Sequence, residues 1–372
     1  MKLGILCTMI NGFGRRGYYN SQEIGLGRAL ARKGHEVMIY KGIDPSEKEE
    51  KVQVEKNLTI WYLPMKHLGA HGFMDCKNLD PQLKALFCFG DQQIFLPHVY
   101  RWCRRRRIPF VAYVGTAHSL DSNFKSKVMN ALFAAGTLRI YKKNPVLAKT
   151  SAAKEELRQL GIPHAVIAPV GLDTAVLKKN IPAVEKMRLR KEHGFEADDV
   201  ILCNVSRLSW EKRPLELIDL FLQVKGKKKF KLIIVGNGPL EEELNEKIRK
   251  NGLEKEVKIY PNVPYEKMWE IYEMSDHYLN MNKGEIFGMA IMEAVYYKTS
   301  VAAIRALGPS VTLKDMKGHK LCENDDEMAE WITGPYPSEK DLQESSEKMA
   351  ATFTWDRCAD AFLQASSEKS SR

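Results

Sequence analysis

Two cations in the second half of the chain have the types and spacing expected of an anion-binding site. Arg207 and Lys212 lie five positions apart, after an apolar segment and just before Pro214, which opens a predicted helix. Cations at a helix N-terminus oppose the helix dipole unless an anion lies there. Because ligands of open α/β sheets bind at the carboxyl ends of strands, the pair predicts a site for an anionic ligand. Two solvated charges at a helix start are the alternative interpretation.

Two glutamates further along the chain, Glu285 and Glu293, stand eight positions apart around a Phe-Gly turn and the start of an apolar helix. A carboxylate in the buried part of such a helix is costly unless it accepts hydrogen bonds, so Glu293 is expected to have donors such as ligand hydroxyls. The amides of Phe287 and Gly288 lie at the helix N-terminus, where phosphate binds readily. The alternative interpretation is purely structural, with a glutamate that caps the helix and a hydrogen bond within the core.

A glycine-rich segment, GFGRRG at 12–17, matches the GxGxxG pattern of dinucleotide-binding proteins and follows a predicted strand. In that pattern the second strand ends near an acidic residue that binds ribose. Here it ends in Tyr40-Lys41-Gly42 instead, and the stretch YYNS before the helix disrupts the register. Lys41 would suit NADP, but a flexible glycine loop that lets backbone approach a ligand is the favoured interpretation.

Composition is that of a soluble globular protein with about two domains. The 372 residues are 44% hydrophobic and 28% charged, which excludes disordered, collagenous and disulfide-stapled chains. No apolar run approaches the ~18 residues of a membrane-spanning helix, and residues 2–10 are interpreted as a first strand rather than a signal peptide. The seven cysteines include no CxxC pair, so we expect buried free thiols in a reducing compartment and no zinc site.

Positive charge is concentrated in the first half of the chain. The net charge is +10, but residues 1–170 have 26 Lys and Arg against 13 Asp and Glu, whereas residues 171–372 have 31 against 34. This asymmetry predicts an anionic partner for the first half. A generally basic, soluble surface is the alternative.

The order of predicted elements is typical of an α/β protein with a doubly wound parallel sheet in each half. In the first half we predict a helix at 21–33 between strands at 2–10 and 35–40, with further strand-like apolar runs at 60–63, 93–96, 109–114, 138–141 and 165–167. In the second half strands at 200–205, 230–235, 257–260 and 277–281 alternate with helices at 214–224, 240–251, 266–274 and 288–297. The predicted fold is therefore two Rossmann-like domains facing a cleft.

The predicted domains are 1–170, 171–350 and a C-terminal segment, 351–372. The first two are the Rossmann-like domains. The last contains a helix from 353 to about 365 that returns to the first domain, followed by a disordered tail, SSEKSSR.

In combination, these motifs resemble the retaining glycosyltransferases of family 4, which have the GT-B fold. The resemblance rests on the Glu-x7-Glu segment 285–293, the Arg207/Lys212 pair, the turn GNGP at 236–239, the segment RALARKGHEV after the glycine loop, and the closing FTWDR. It spans nearly the whole chain. Three positions depart from the family pattern, since Ser206 and Arg213 stand where the family has glycine and VGLD at 170–173 replaces Asn-Gly-Val-Asp.

The resemblance implies roles for residues of both predicted domains. The implied catalytic set is His118, Arg207, Lys212 and Glu285. The implied donor-binding set is Gly14, Asn262, Val263, Ile286, Phe287, Gly288 and Glu293.

Each of these residues has a specific implied contact. Arg207 and Lys212 would hold the donor diphosphate, while Glu285 and the amides of 286–288 would contact the donor sugar and phosphate. Glu293 would bind the ribose hydroxyls, and the backbone at 262–263 would meet the base. From the first domain, Gly14 would close over the diphosphate.

His118, at the end of a first-domain strand, would face the transferred sugar. A loop or core histidine is the alternative interpretation of that residue.

The implied reaction transfers a hexose or deoxyhexose from a nucleotide diphosphate sugar to an acceptor hydroxyl, with retention of the anomeric configuration. Two cations and a helix N-terminus would stabilise the departing diphosphate, so no metal or other cofactor is expected. Asp325-Asp326 lies in a polar segment and is predicted to be solvated rather than to form a metal clamp. In the family the leaving phosphate takes the acceptor proton, so no protein base is assigned.

The basic first domain favours a cytoplasmic enzyme that docks peripherally on the anionic inner leaflet, where a lipid-linked saccharide of cell-surface glycan assembly would be the acceptor. A water-soluble acceptor is the rival. A nucleotide-sugar epimerase or hydrolase of the same fold remains an alternative function. A nucleic-acid binder that uses the four arginines 104–107 is an alternative of a different class, but no aromatic residues interleave them, so no nucleic acid is expected.

Overall fold

A computed structural model describes residues 1–10, 22–117, 124–177 and 182–368. The chain divides into two compact units, the first formed by Met1–Asp173 with Phe353–Arg372 and the second by Thr174–Thr352. Residues 171–173 stay with the first unit because Leu172 pairs with Thr354 in a parallel bridge. A Cβ on Gly171 would lie 2.1 Å from the carbonyl carbon of Thr354, so only glycine allows this close approach.

The first unit is built on an eight-stranded sheet with the order β10-β9-β8-β7-β1-β2-β4-β3 and a separate two-stranded β5-β6 hairpin. All neighbours in the large sheet are parallel except β3 and β4. The strands are β1 Lys2–Cys7, β2 Glu36–Ile43, β3 Glu50–Glu55, β4 Leu58–Pro64, β5 His67–Leu68, β6 His71–Gly72, β7 Ala85–Phe89, β8 Phe110–Val114, β9 Val146–Ala148 and β10 Val166–Ile167. The central strands β1 and β8 are buried except at Lys2, as expected for a parallel sheet covered on both faces.

In the described part of the first unit, the α-helices between these strands are α1 Gln22–Arg32, α2 Leu96–Arg106, α3 Phe124–Ala135, α4 Thr137–Tyr141 and α5 Ser151–Gln159. Helix α5 begins with a side-chain cap, since the hydroxyl of Thr150 accepts a hydrogen bond from the amide of Ala153 at 3.0 Å.

The second unit has a six-stranded parallel sheet with the order β13-β12-β11-β14-β15-β16. Its strands are β11 Val200–Val205, β12 Phe230–Val235, β13 Val257–Tyr260, β14 His277–Asn280, β15 Ser300–Ile304 and β16 Lys320–Cys322. Its helices are α6 Ala183–Glu192, α7 Pro214–Val224, α8 Glu241–Lys250, α9 Met268–Met274, α10 Met289–Tyr296, α11 Leu307–Thr312, α12 Asp325–Thr333 and α13 Glu339–Thr352. The last helix, α14 Trp355–Glu368, belongs to the first unit.

Both units therefore have the predicted Rossmann-like architecture, but some predicted elements were wrong. Residues 138–141 belong to helix α4, because Leu138 and Tyr141 are buried at i, i+3 spacing while Arg139 faces solvent. A short apolar run cannot separate strand from helix by periodicity alone. The run at 93–96 is a turn that leads into α2. The strands that were not predicted are β3, β5, β6, β7, β9, β15 and β16.

The two ends of the chain also differ from the prediction. Strand β1 ends at Cys7 rather than at residue 10. The predicted disordered tail is wrong for Ser366, Ser367 and Glu368, which continue α14, and Ser366 is buried. Residues 369–372 lie outside the described residues.

All seven cysteines are free and all except Cys76 are buried, which confirms the prediction of buried free thiols. Burial raises the pKa of Cys203 to about 12. Within the described ranges, no group of three or more His, Cys, Asp or Glu side chains has the geometry of a metal site. In the same part of the chain, no helix combines the length and apolar character needed to cross a membrane.

Candidate functional site

The charged residues singled out from the sequence lie at the switch point of the second sheet. Strands β11 and β14 are neighbours at the centre of the sheet, with β12 following on one side and β15 on the other. Connections leave such a point in opposite directions and open a crevice at the carboxyl ends of the two strands. The Arg207 loop follows β11 and the Glu285 loop follows β14. This is the place in an open α/β sheet where a ligand is expected.

An ion pair joins these two loops. Lys212 Nζ donates to Glu285 Oε2 at 2.8 Å, and the two side chains are only 23% and 16% exposed. Asn282 Nδ2 donates to the same oxygen at 3.0 Å. Burial raises the pKa of Glu285, but Lys212 and the amide side chains of Asn282 and Asn280 outweigh it, so the net shift is downward. Glu285 is therefore ionised at neutral pH.

Two buried asparagines, which the sequence analysis missed, hold the Glu285 loop in place. Asn280 Oδ1 accepts from the amide of Asn282 at 3.0 Å, and Asn282 Oδ1 accepts from the amide of Gly284 at 2.9 Å. Both side chains are buried. Alternating asparagines at the end of a buried strand, in the segment LNMNKGE, are the sequence signal that would have identified them.

The segment between Glu285 and α10 offers backbone donors. Gly288 caps the helix in the left-handed conformation, with φ of +82°. Within the described residues, the N–H groups of Ile286 and Gly288 donate no hydrogen bond. The amide of Gly308 donates to the carbonyl of Glu285 at 2.8 Å, and a Cβ on Gly308 would lie 2.6 Å from the nitrogen of Phe287. Gly308 thus supports the loop that contains these two unpaired amides.

Glu293 lies inside α10 with only 1% of its surface exposed. The hydroxyl of Tyr272 on α9 donates to its Oε2 at 2.8 Å. The ring of Tyr297 stacks on that of Tyr272 with centroids 5.7 Å apart, and burial raises the pKa of Tyr297. A donor that the sequence analysis expected from a ligand is therefore supplied by the protein, and the buried carboxylate is stabilised by it.

The glycine turn at 236–239 positions the Arg207 loop. Gly236 has φ of +141°, and a Cβ there would lie 1.9 Å from the carbonyl oxygen of Ser206. The amide of Leu208 donates to the carbonyl of Asn237 at 2.9 Å. Arg207 lies between these two contacts, and its carbonyl accepts from the amide of Ser209 at 3.0 Å. The residue is exposed, and within the described part of the chain its side chain makes no hydrogen bond or ion pair. Its guanidinium is thus presented to solvent by a tightly held backbone.

The same turn contacts the segment predicted to meet a base. Asn237 Nδ2 donates to the carbonyl of Pro261 at 3.0 Å and to Asn262 Oδ1 at 2.9 Å. The amide of Gly236 donates to the carbonyl of Tyr260 at the end of β13. One turn therefore fixes both the Arg207 loop and the Asn262-Val263 segment.

The prediction that Asp325 is solvated was wrong. Both guanidinium nitrogens of Arg213 bond to its carboxylate, at 3.0 and 2.7 Å. The hydrogen bond with Asp325 raises the pKa of Arg213. Arg213 itself has φ of +55°, a left-handed conformation that favours glycine. This explains the departure from the family pattern, because the side chain compensates through its bidentate ion pair.

In the first unit, a polar cluster lies at the carboxyl ends of β7, β8 and β9. Asp91 Oδ1 accepts from the amide of Gly115 at 2.6 Å, and its Oδ2 pairs with Lys149 Nζ at 3.1 Å. The ammonium also lies over the rings of Phe89 and Tyr113, 5.3 and 5.2 Å from their centroids. The sequence analysis missed this Asp91–Lys149 pair, which contacts Gly115, three positions before the predicted His118.

His118 and Gly14, the two predicted site residues of the first domain, lie outside the described residues. Lys41, the residue that NADP would require, is buried and donates to the buried Glu23 of α1. Burial lowers the pKa of Lys41, but Glu23 outweighs it and the pKa is raised. This ion pair occupies the ammonium group and is a structural reason against the nicotinamide interpretation.

Comparison with known proteins supports the resemblance. Residues 185–348 match the family model described as glycosyl transferases group 1. D-inositol 3-phosphate glycosyltransferase of Xylanimonas cellulosilytica is 23% identical, over 97% of this chain and 94% of the relative. Alpha-monoglucosyldiacylglycerol synthase of Acholeplasma laidlawii is 21% identical, over 73% of each chain. These matches bear out the predicted resemblance to group 1 glycosyltransferases.

Solved structures have the same fold. Sucrose-phosphate synthase from Thermosynechococcus elongatus superposes with a TM-score of 0.74 at 15% identity, over 99% of this chain and 98% of that one. Anabaena HepE in complex with UDP gives a TM-score of 0.72 at 16% identity, over 99% of this chain and all of that one. The predicted GT-B fold class is confirmed.

Proposed function

We propose that this group 1 glycosyltransferase transfers a hexose or deoxyhexose from a nucleotide diphosphate sugar to an acceptor hydroxyl and retains the anomeric configuration. The observation that carries the proposal is the Lys212–Glu285 ion pair at the switch point of the second sheet, beside the N–H groups of Ile286 and Gly288. Crystal structures of the similar HepE contain UDP or UDP-glucose, which supports a nucleotide sugar as the donor.

Three kinds of donor would stabilise the departing diphosphate. Within the described residues the ammonium of Lys212 gives one hydrogen bond, to Glu285, so it retains two further protons. Arg207 is exposed on a rigid loop, and the open N–H groups of Ile286 and Gly288 precede α10. Charge-assisted hydrogen bonds contribute about 1.5–3 kcal/mol each, and they are most effective when preorganised where charge develops. In this proposal no metal or other cofactor takes part.

Glu285 would bind the donor sugar rather than transfer a proton. Its pKa is lowered, so at neutral pH it accepts hydrogen bonds from sugar hydroxyls and orients the ring. The proton of the acceptor hydroxyl passes to the leaving phosphate oxygen as the new glycosidic bond forms and the bond from the anomeric carbon to phosphate breaks. Because the leaving phosphate takes this proton, the reaction needs no protein base.

The nucleoside would be held further along the same sheet. Glu293 binds the ribose hydroxyls with the carboxylate that Tyr272 orients, and the backbone of Asn262-Val263 meets the base. Gly14 closes over the diphosphate, and His118 contacts the transferred sugar. The catalytic set is thus His118, Arg207, Lys212 and Glu285.

The acceptor would be a saccharide held by the first unit, and a lipid-linked saccharide is favoured. Residues 1–170 have an excess of basic residues, which attract an anionic leaflet by about 1 kcal/mol per side chain near its surface. The name of the similar monoglucosyldiacylglycerol synthase refers to a glycolipid. This supports a cytoplasmic enzyme that associates peripherally with a membrane. The Asp91–Lys149 pair would orient acceptor hydroxyls.

A nucleotide-sugar panel tests the proposal. Turnover in excess EDTA with candidate saccharide acceptors should release nucleoside diphosphate, and proton NMR should show the donor's anomeric configuration in the product. An inverted linkage, or turnover abolished by EDTA, would reject this mechanism. Conversion of the donor sugar without a transfer product would indicate an epimerase or hydrolase instead.

A further inference from the structure

A cavity of about 630 Å³ opens at the amino ends of the central strands of the first unit. Leu3 of β1, Ala85 of β7 and Pro109, just before β8, lie in its wall, and α14 contributes Leu363 and Ser366. Parallel strands rise about 3.3 Å per residue, so the six residues of β1 separate the two edges of the sheet by about 20 Å. The cavity is therefore remote from the Asp91–Lys149 pair at the carboxyl ends.

Basic side chains line this cavity without acidic partners. Lys84, Arg106, Arg107 and His35 contribute to its wall, and among the described residues no Asp or Glu does. The guanidinium of Arg106 lies over the ring of Trp102, 4.7 Å from its centroid. Within the described part of the chain, Lys84, Arg106 and Arg107 form no ion pair.

Two carboxylates that flank cavity residues in the sequence, Asp80 and Glu36, are already paired. Lys2 contacts Asp80 at 3.0 Å and Glu36 at 3.6 Å. A concave surface with uncompensated cations concentrates positive potential and attracts an anion.

Arg107 occupies a backbone position that favours glycine. It ends α2 with φ of +57° and ψ of +31°, the left-handed conformation in which helices usually place Gly. The arginine is therefore present at a conformational cost, at a position that contributes to the cavity wall. Its guanidinium, like that of Arg106, offers a planar fork of donors that matches phosphate oxygens.

We propose that this cavity binds an organic phosphate, with Arg106, Arg107 and Lys84 holding the phosphate group. The volume lies in the range of small-molecule sites and exceeds what inorganic phosphate would fill. Buried Leu3, Leu83 and Ile108 provide an apolar floor for the organic part. The phosphate is that of a lipid headgroup or of a soluble sugar phosphate. The site goes beyond the proposed transferase function, because it lies at the opposite edge of the sheet from the reaction.

Two double variants distinguish binding in the cavity from a general effect of net positive charge. Arg106→Gln with Arg107→Gly removes two cations from the cavity wall and gives α2 the C-terminal glycine that its backbone favours. Arg104→Gln with Arg105→Gln removes the same charge from the same helix, at exposed residues outside the wall. Lys84→Gln, from a different segment, is an independent third variant.

Two probes distinguish the sources of the phosphate. Cosedimentation with vesicles of phosphatidic acid and phosphatidylcholine measures the lipid source, and calorimetry with glucose 6-phosphate measures the soluble source. Calorimetry is performed in an Arg207→Ala/Lys212→Ala background, so that the proposed donor site does not contribute.

At least one probe should bind, and its affinity should fall at least tenfold in the cavity double variant and in Lys84→Gln, but less than threefold in the control. Equal losses in both double variants, or no binding of either probe, would overturn the proposal. Nucleoside diphosphate titrations of the cavity variant with Arg207 and Lys212 intact report on the transferase site separately.

Discussion

The ammonium of Lys212 lies 2.8 Å from the carboxylate of Glu285, so the segment after β11 and the loop after β14 are joined by a half-buried ion pair at the switch point of the second sheet. The pair holds a cation and an acceptor of hydrogen bonds in fixed positions beside open backbone amides. In the proposed reaction the Lys212 ammonium binds the diphosphate and the Glu285 carboxylate binds the sugar. Removing either partner should therefore alter stability and ligand binding together.

The stability contribution of Glu285 should depend on pH. Its pKa is lowered in the folded protein, so its contribution is complete above the unfolded value of about 4.5 and is lost as pH falls through the folded value. We expect Glu285→Gln to lower the free energy of unfolding by about 1–2 kcal/mol at pH 7 and by clearly less at pH 3. Urea titrations at both pH values measure this difference.

Asp198→Asn is the matched control for that experiment. Asp198 also pairs with a lysine, Lys229, but both side chains are exposed, and exposed pairs contribute little. A stability loss in Glu285→Gln that is the same at pH 3 as at pH 7 would contradict the assigned ionisation.

Gly236→Ala should displace the Arg207 loop. The new Cβ would meet the carbonyl oxygen of Ser206 at 1.9 Å, so the backbone must move, and nucleoside diphosphate affinity should fall about tenfold or more. Gly252→Ala is the control, since Gly252 also has a positive φ, of +62°, but its Cβ would meet nothing within 4 Å. That control should lose about 1 kcal/mol of stability and keep its affinity. Equal affinities in the two variants would argue against the role of the turn.

Substitutions of Glu293 and Tyr272 should distinguish an effect on ligand binding from an effect on packing. Tyr272→Phe keeps the carboxylate and removes the hydroxyl that donates to it at 2.8 Å, at a cost of about 1 kcal/mol in stability. Glu293→Gln keeps an acceptor for Tyr272 but removes the charge that the ribose hydroxyls would meet. Calorimetry with nucleoside diphosphate should therefore show the larger loss in Glu293→Gln, and a larger loss in Tyr272→Phe would contradict the assignment.

The Asp91–Lys149 pair should affect the acceptor rather than the donor. Asp91→Asn weakens the bond to the Lys149 ammonium, so the KM for the acceptor should rise about tenfold while nucleoside diphosphate affinity stays constant. Lys154→Ala, which removes an exposed lysine of α5, serves as the control. An unchanged acceptor KM in Asp91→Asn would contradict a role of this pair in acceptor binding.

Sequence predicted the elements of the second unit best where local signals were strong. The helix Pro214–Val224 and the strands Phe230–Val235 and Val257–Tyr260 were predicted with their observed bounds, because proline opens the helix and a glycine turn ends the first strand. In the first unit α4 was taken for a strand and β7 was missed, since short apolar runs are ambiguous without tertiary context.

The candidate site was predictable in its charged residues but not in what supports them. Arg207, Lys212 and Glu285 follow a recognisable spacing, and the fold brings the last two into contact. The Asp91–Lys149 pair joins residues 58 positions apart and Gly308 supports a loop near Phe287, so neither leaves a local pattern. The Arg213–Asp325 pair also depends on folding, which is why Asp325 was expected in solvent.

Calorimetric titration of nucleoside diphosphates into the wild type, Arg207→Ala, Lys212→Ala and Lys229→Ala tests the central claim most directly. Lys229 is an exposed lysine of the same unit that pairs only at the surface, so its removal controls for net charge. We expect one-to-one binding of at least one diphosphate, weakened about ten- to a hundredfold in Arg207→Ala and in Lys212→Ala and unchanged in Lys229→Ala. Wild-type affinity in both site variants, with their folds intact, would contradict it.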